Sequence, residues 1–203
     1  MKDWSKLASE ESIAKTTENL KTNGINAMVV QNGVQAKEKV LEMLPKNAEV
    51  MSMSSVTLET LNIAKEINES GNYNSVKSKL EKMDRKTQGL EMQRIGAAPE
   101  YAVGSVHAVT EDGKIIIASN TGSQLPAYAY AASHVIWVVG TQKIVENLDE
   151  AMKRIYEYVL PLESERMQKI YRVGSNVSKL LIINKEIAPN RLTLIFVKEK
   201  LGF

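Results

Sequence analysis

The 203-residue chain contains no cysteine. That excludes disulfides, thiolate nucleophiles, cysteine-held zinc and iron–sulfur ligation by this chain. Only two histidines occur, His107 and His134. They are too few for a His-rich metal site, and no carboxylate spacing points to magnesium. No metal and no cofactor is expected. No apolar run approaches the roughly 18 residues that span a bilayer, and Met1-Lys2-Asp3-Trp4-Ser5 lacks the apolar core of a secretion signal. The expected location is the cytoplasm, with no membrane partner. Charge of one sign is scarce too: 26 Lys and Arg face 24 Asp and Glu, a net +2, which gives no electrostatic case for nucleic acid. With 11 Gly and 5 Pro, the chain is neither collagen-like nor low-complexity.

What remains is an ordinary globular composition, 43% hydrophobic and 25% charged, on a chain long enough to bury a core without staples. No repeat or linker divides it, so residues 1–203 are expected to form one domain. Helical and strand patterns alternate. Trp4 to Asn23 is amphipathic and ends at Gly24; Ile25 to Val30 reads as a strand. Val34 to Leu44 is a helix closed by Pro45, Ala48 to Met53 a strand, and Val56 to Glu69 a helix. Asn74 to Arg94 is polar and reads as one or two helices interrupted at Gly89. Glu100 to Val109 and Lys114 to Ala118 read as strands around the turn Thr110-Glu111-Asp112-Gly113. Gln124 to Ser133 is a short Ala/Tyr-rich helix. Val135 to Gly140 is wholly apolar, the pattern of a strand buried on both faces. Leu148 to Leu160 is a helix stopped by Pro161. Lys179 to Lys185 and Arg191 to Lys198 flank Ala188-Pro189-Asn190 and are expected to pair as a hairpin. The expected class is α/β: three layers, a mostly parallel sheet with helices on both faces, and a C-terminal antiparallel hairpin at an edge.

In open α/β sheets, ligands bind beyond the carboxyl ends of the strands. Two strand-to-helix corners offer hydroxyls there. Ser54, Ser55 and Thr57 stand beside the unpaired N–H groups that start a helix, a place that favours anions; the alternative is that Ser54 or Ser55 only caps the helix. In the second corner, Asn120-Thr121-Gly122-Ser123, Gly122 can turn amides inward to form an anion-holding nest, or the loop is merely a cap. Lys143 either adds charge to the same cleft or caps a turn in solvent. Glu111 is either part of a turn, since Asp112-Gly113 is a strong hairpin signal, or a carboxylate base or nucleophile. His107 and His134 read as packed or surface residues.

One longer string is specific. Gly104, Ala108-Val109-Thr110-Glu111-Asp112-Gly113, Thr121-Gly122-Ser123, Gly140, Gln142-Lys143-Ile144-Val145, and Ala151 with Arg154-Ile155 follow one another from Gly104 to Ile155. Ser54-Ser55-Val56-Thr57-Leu58 precedes them, and the tail runs from Asn190-Arg191-Leu192 to Glu199-Lys200-Leu201-Gly202-Phe203. Together these resemble the LUD domain of the lactate-utilisation proteins, over nearly the whole chain. The resemblance implies a fold like that of ribose-5-phosphate isomerase and the CoA transferases, whose hydroxyl- and glycine-rich loops hold phosphate or CoA groups. It also implies a part in L-lactate oxidation beside iron–sulfur subunits. Three departures matter. Many relatives carry Gly where this chain has Ser52 or Met53, before the Ser54-Ser55 pair. Relatives carry Arg where this chain has Gln124, which weakens phosphate holding at the second corner. Many also carry cysteines before the last strands, where this chain has none, so any cluster they hold is absent here.

Three functions follow as expectations. In the first, the chain binds a small anionic metabolite, or serves as an accessory subunit, in the use of L-lactate or another 2-hydroxy acid. The second is an enzyme of the CoA-transferase or sugar-phosphate-isomerase kind, with Glu111 as its reactive carboxylate. The third is an interaction or assembly subunit without ligand. A homo-oligomer is compatible with each.

Overall fold

The wholly apolar segment becomes the middle of a parallel sheet. The structure, a computed structural model, describes residues 2–203. Six strands, β1 (Asn26–Val30), β2 (Glu49–Ser52), β3 (Asn74–Ser75), β4 (Tyr101–Gly104), β7 (His134–Gly140) and β10 (Leu192–Val197), lie parallel in the order β1-β10-β7-β4-β2-β3. Alternate side chains of a strand point to opposite faces. Val135, Trp137 and Val139 of β7 therefore enter one core, and Ile136 and Val138 the other. Leu192, Leu194 and Phe196 of β10 divide from Ile195 and Val197 in the same way. Both faces are apolar because both are covered.

Helices α2 (Gly33–Met43), α3 (Val56–Thr60) and α4 (Ile63–Glu69) cover one face through Ala36, Val40, Leu58, Ile63 and Ile67. The other face meets Leu20 of α1 (Glu10–Thr22), a π-helical turn at Ala127–Ala131 and a second sheet. That sheet is mixed, in the order β8-β5-β6-β9, from β5 (Ala108–Thr110), β6 (Ile115–Ser119), β8 (Ile144–Val145) and β9 (Lys179–Ile183). Its far side packs on Ala151 and Ile155 beside Trp4, where α7 (Leu148–Arg154) lies. Two helices, α5 (Val76–Leu80) and α6 (Arg85–Ala97), follow β3. The three-layer arrangement with a mostly parallel central sheet thus stands.

Five local expectations change. The single helix expected over Val56 to Glu69 is two, α3 and α4, parted at Asn62, which takes φ 54°. The C-terminal hairpin does not form: β9 pairs antiparallel with β6, and β10 lies between β1 and β7 in the parallel sheet. Both runs are apolar, but β9 is mostly exposed whereas β10 is buried nearly throughout, and only a central strand can bury both faces. The segment expected as one strand from Glu100 to Val109 breaks at Ser105-Val106-His107, where the chain leaves the first sheet for the second. The first helix starts at Glu10 because the Ser9 hydroxyl accepts the Ser12 N–H and caps it there. Pro161 does not end its helix: the chain runs from α7 through a π-helical turn at Ile155–Val159 into α8 (Leu160–Tyr171). Proline lacks a donor and crowds the preceding turn, and a widened turn just ahead absorbs both.

The turn at Thr110-Glu111-Asp112-Gly113 forms as expected. Gly113 takes φ 83°, and its N–H meets the Thr110 carbonyl at 2.8 Å. Gly104, at the end of β4, serves a different need. A Cβ there would lie 1.8 Å from Tyr128 Oη, and the Tyr128 ring is held edge-on against Trp137 at 5.3 Å. Gly104→Ala is expected to lower the unfolding free energy by about 1–3 kcal/mol through overpacking; an unchanged urea midpoint would show that Tyr128 moves freely.

Candidate functional site

Three neighbouring strands of the parallel sheet, β7, β4 and β2, end side by side, and each delivers one polar side chain. Beyond β2, Thr57 sits in the first turn of α3. Beyond β4, Ser105 stands where the chain changes sheets. Beyond β7, a 3-10 turn at Thr141–Lys143 swings Lys143 inward. The Lys143 Nζ lies 3.1 Å from Ser105 Oγ, 3.1 Å from the Val106 carbonyl and 3.5 Å from Thr57 Oγ1. Thr57 Oγ1 is also 3.5 Å from Ser105 Oγ and donates to the Leu201 carbonyl at 3.3 Å. Leu201 is brought by the tail that follows β10 and is held by Gln142 Nε2 at 2.9 Å. Next to it, Gly202 takes φ 62°, and a Cβ there would fall 2.7 Å from Thr57 Oγ1. Thr57 and Lys143 are buried, at 1% and 4% exposure. Ser54 is exposed, and Ser55, Ser105 and Gly202 are half exposed around them.

The charge of this site is one-sided. Arg154, fully buried on α7, donates to the His107 carbonyl at 2.6 Å and lies over the Tyr158 ring at 5.4 Å, while its Nε and Nη2 have no hydrogen-bond partner. Among the described residues, neither Lys143 nor Arg154 joins an ion pair. Burial, with Arg154 adding repulsion, pushes Lys143 down from 10.5 to about 7. Burial also lowers Arg154, to about 10, so it stays charged at neutral pH. His107 accepts the Ala118 N–H at Nδ1, 3.1 Å away. Burial first, then Lys143 and Arg154, hold its ring well below the ordinary histidine range, so it is neutral.

The other residues expected at a site fall elsewhere or are engaged. Ser55 is the N-cap residue of α3, but its side chain makes no capping bond. The second corner satisfies itself. Gly122, at φ 86°, gives its N–H to Ser119 Oγ at 2.8 Å, and the Ser123 N–H meets Thr121 Oγ1 at 3.3 Å. The Asn120 side chain accepts from Ser178. Among the described residues, no hydrogen bond joins this corner to Thr57, Ser105 or Lys143. Glu111 is tied to α1: its carboxylate accepts from Ser12 Oγ at 2.7 Å and Lys15 Nζ at 2.8 Å. The Lys15 and Ser12 bonds hold it below the ordinary carboxylate range. Lys143 does not cap a turn in solvent; it is the buried centre of the group.

Ser105 is no candidate by sequence, and Arg154 stands out there only within the family-like string, without a site role. Ser105 reads as mid-strand there, since nothing local announces the change of sheet. Arg154 did leave a signal, because Ala151, Arg154 and Ile155 share one helix face. An arginine within an apolar stripe is a buried charge in need of a partner.

The LUD domain family model matches residues 13–197. The chain belongs to the LUD domain family. A DUF162 family protein from Deinococcus radiodurans has the same fold, with a TM-score of 0.61 at 12% identity, over 95% of this chain and 99% of that one. An eIF2B beta structure from Chaetomium thermophilum aligns over 69% of this chain and 43% of its own, with a TM-score of 0.30 at 13% identity. No curated protein matches. Among the described residues of this LUD domain, no helix is long and apolar enough to cross a membrane. Among its described residues, no His, Cys, Asp or Glu cluster could hold a metal ion.

Proposed function

We propose that this LUD domain binds a small anionic metabolite of the 2-hydroxy-acid or 2-oxo-acid class at Lys143, Thr57 and Ser105. Its role is in the use of L-lactate, as a binding or accessory subunit beside iron–sulfur proteins in the cytoplasm. Residues 1–203 act as one domain in this reading, in keeping with the family match over 13–197. The observation that carries the reading is the pair of buried cationic groups, Lys143 and Arg154, without an ion-pair partner among the described residues. Burying such charge is costly unless an opposite charge offsets it, and a carboxylate or phosphate is the ligand that would do so. Hydroxyls at 3.1 and 3.5 Å from the ammonium supply directional bonds. Membership of the family supports the lactate context. Ser54 and Ser55 stand at the rim, while Asn120, Thr121, Gly122 and Ser123 form a separate, secondary candidate. Glu111 has no part in the site, since Lys15 and Ser12 already occupy its carboxylate.

Isothermal titration with L-lactate, pyruvate and inorganic phosphate tests the reading. Because Lys143 titrates at about 7 in the empty site, an anion draws a proton onto it. Affinity is expected to weaken by up to about tenfold per pH unit above that point. A hundredfold excess of ligand over Kd should add about 2.7 kcal/mol of stability. If none of the three anions gives heat or a thermal shift, the binding reading is wrong.

A further inference from the structure

The same geometry has a capacity that binding does not use. We propose that Ser105 is an acyl-accepting nucleophile, with Lys143 as its general base and Thr57 as a positioning residue, acting on a carboxylic ester or thioester. This goes beyond the binding reading and does not rest on it.

The arrangement assigns the protons. A neutral amine has two N–H donors and one lone pair. The Val106 carbonyl, 3.1 Å from Nζ, can only accept, and takes one N–H. Thr57 gives its own proton to the Leu201 carbonyl, so its oxygen accepts the second N–H. The lone pair is left for the Ser105 O–H, at 3.1 Å, within the range of a nucleophile–base pair. The nucleophile is half exposed and the base is buried behind it. A substrate therefore meets Ser105 first.

The other bases nearby are engaged. His107 has its Nδ1 taken by the Ala118 N–H, and Glu111 is held by Ser12 and Lys15. Among the described residues, no carboxylate forms an ion pair with Lys143 and keeps it protonated. Burial and Arg154 bring the amine to about 7, so a large share is free base at neutral pH. An amine near the working pH is a suitable base.

The step balances without a further reagent. Ser105 Oγ bonds to the acyl carbon as Lys143 Nζ takes the hydroxyl proton. The carbon–oxygen or carbon–sulfur bond to the leaving group breaks, and Lys143 passes the proton to the departing alkoxide or thiolate. Water then cleaves the acyl-serine, giving the carboxylic acid and restoring the Ser105 hydroxyl.

p-Nitrophenyl acetate tests this on the full chain. We expect a stoichiometric burst of nitrophenolate and an acetyl group on the peptide that carries Ser105, found by mass spectrometry. The burst rate should rise with pH through about 7, the value set at Lys143. Ser105→Ala should abolish the burst, and Lys143→Met should slow it about 100-fold or more and flatten the pH profile. The profile of the unaltered chain is decisive even if a variant folds poorly. Acetyl found on lysines and none on Ser105 overturns the proposal. So does a burst that persists in a folded Ser105→Ala, or a rate flat across neutral pH. The probe is a neutral ester, so these outcomes are separate from whether lactate or pyruvate binds.

Discussion

Arg191→Met is expected to lower the unfolding free energy by about 3–5 kcal/mol, the scale of breaking a buried ion pair from one side. Arg191 is nearly buried, and all three guanidinium nitrogens are used. Nε meets Glu186 Oε2 at 2.8 Å; Nη1 meets the Ala132 carbonyl at 3.1 Å; Nη2 meets the Tyr128 and Ala129 carbonyls at 2.8 and 3.0 Å. A single π-helical turn leaves carbonyls without intrahelical partners, and this fork supplies them. Methionine keeps the bulk but strands those oxygens and the Glu186 carboxylate together. Lysine, a point charge without the planar fork, should restore only part of the loss. The pH dependence has a definite sign. Burial raises Glu186, but the Ala188 amide and Arg191 outweigh it and hold the carboxylate below its ordinary 4.5. Its contribution is therefore present above that value and lost as pH falls through the lowered one. Urea unfolding of Arg191→Met should show a weaker acid dependence than the parent. Equal stability of the two would mean that the carbonyls find other donors.

Lys143→Met is expected to act in the opposite direction. The amine titrates at 10.5 in an unfolded chain and at about 7 in the fold. Between those values the unfolded chain holds a proton that the folded one lacks, so stability rises with pH across the window. The displacement corresponds to roughly 5 kcal/mol of burden at and below neutral pH. Methionine removes it but leaves the Val106 carbonyl without its donor, a loss of about 1–3 kcal/mol. The net expectation is a gain of about 2–4 kcal/mol near pH 6 that is gone by pH 10. Denaturant unfolding at both values measures it. A variant less stable than the parent near pH 6 would mean that Lys143 is already compensated in the fold. The gain in stability should come with loss of anion binding, the usual trade at a site kept strained for function.

Much of the fold was legible because it is written in periodicity. The apolar run at Val135–Gly140 is a central strand for the reason its composition suggests, and Asp112-Gly113 makes its turn through local backbone preference. Corners were legible as well: the loop after β2 does carry Thr57 to the carboxyl edge of the sheet. The errors lie where a local pattern admits two partners. Lys179–Ile183 and Leu192–Val197 look like the arms of a hairpin, yet pairing is decided by which strand must be covered on both faces. Pro161 looks like a stop, yet a π-helical turn ahead of it carries the helix on.

Composition and pattern by themselves determined an α/β chain without thiol chemistry, with a buried parallel core and with hydroxyls at its strand ends. Only the tertiary structure decided that Thr57, Ser105 and Lys143, drawn from three distant stretches, stand within 3.5 Å of one another, and that Glu111 and the Gly122 corner bond elsewhere. The reason is physical. Spacing along a chain encodes which face a residue takes, whereas the order of strands in a sheet sets which chain ends become neighbours. That order is fixed by the burial of both sheet faces at once, a property no single segment possesses.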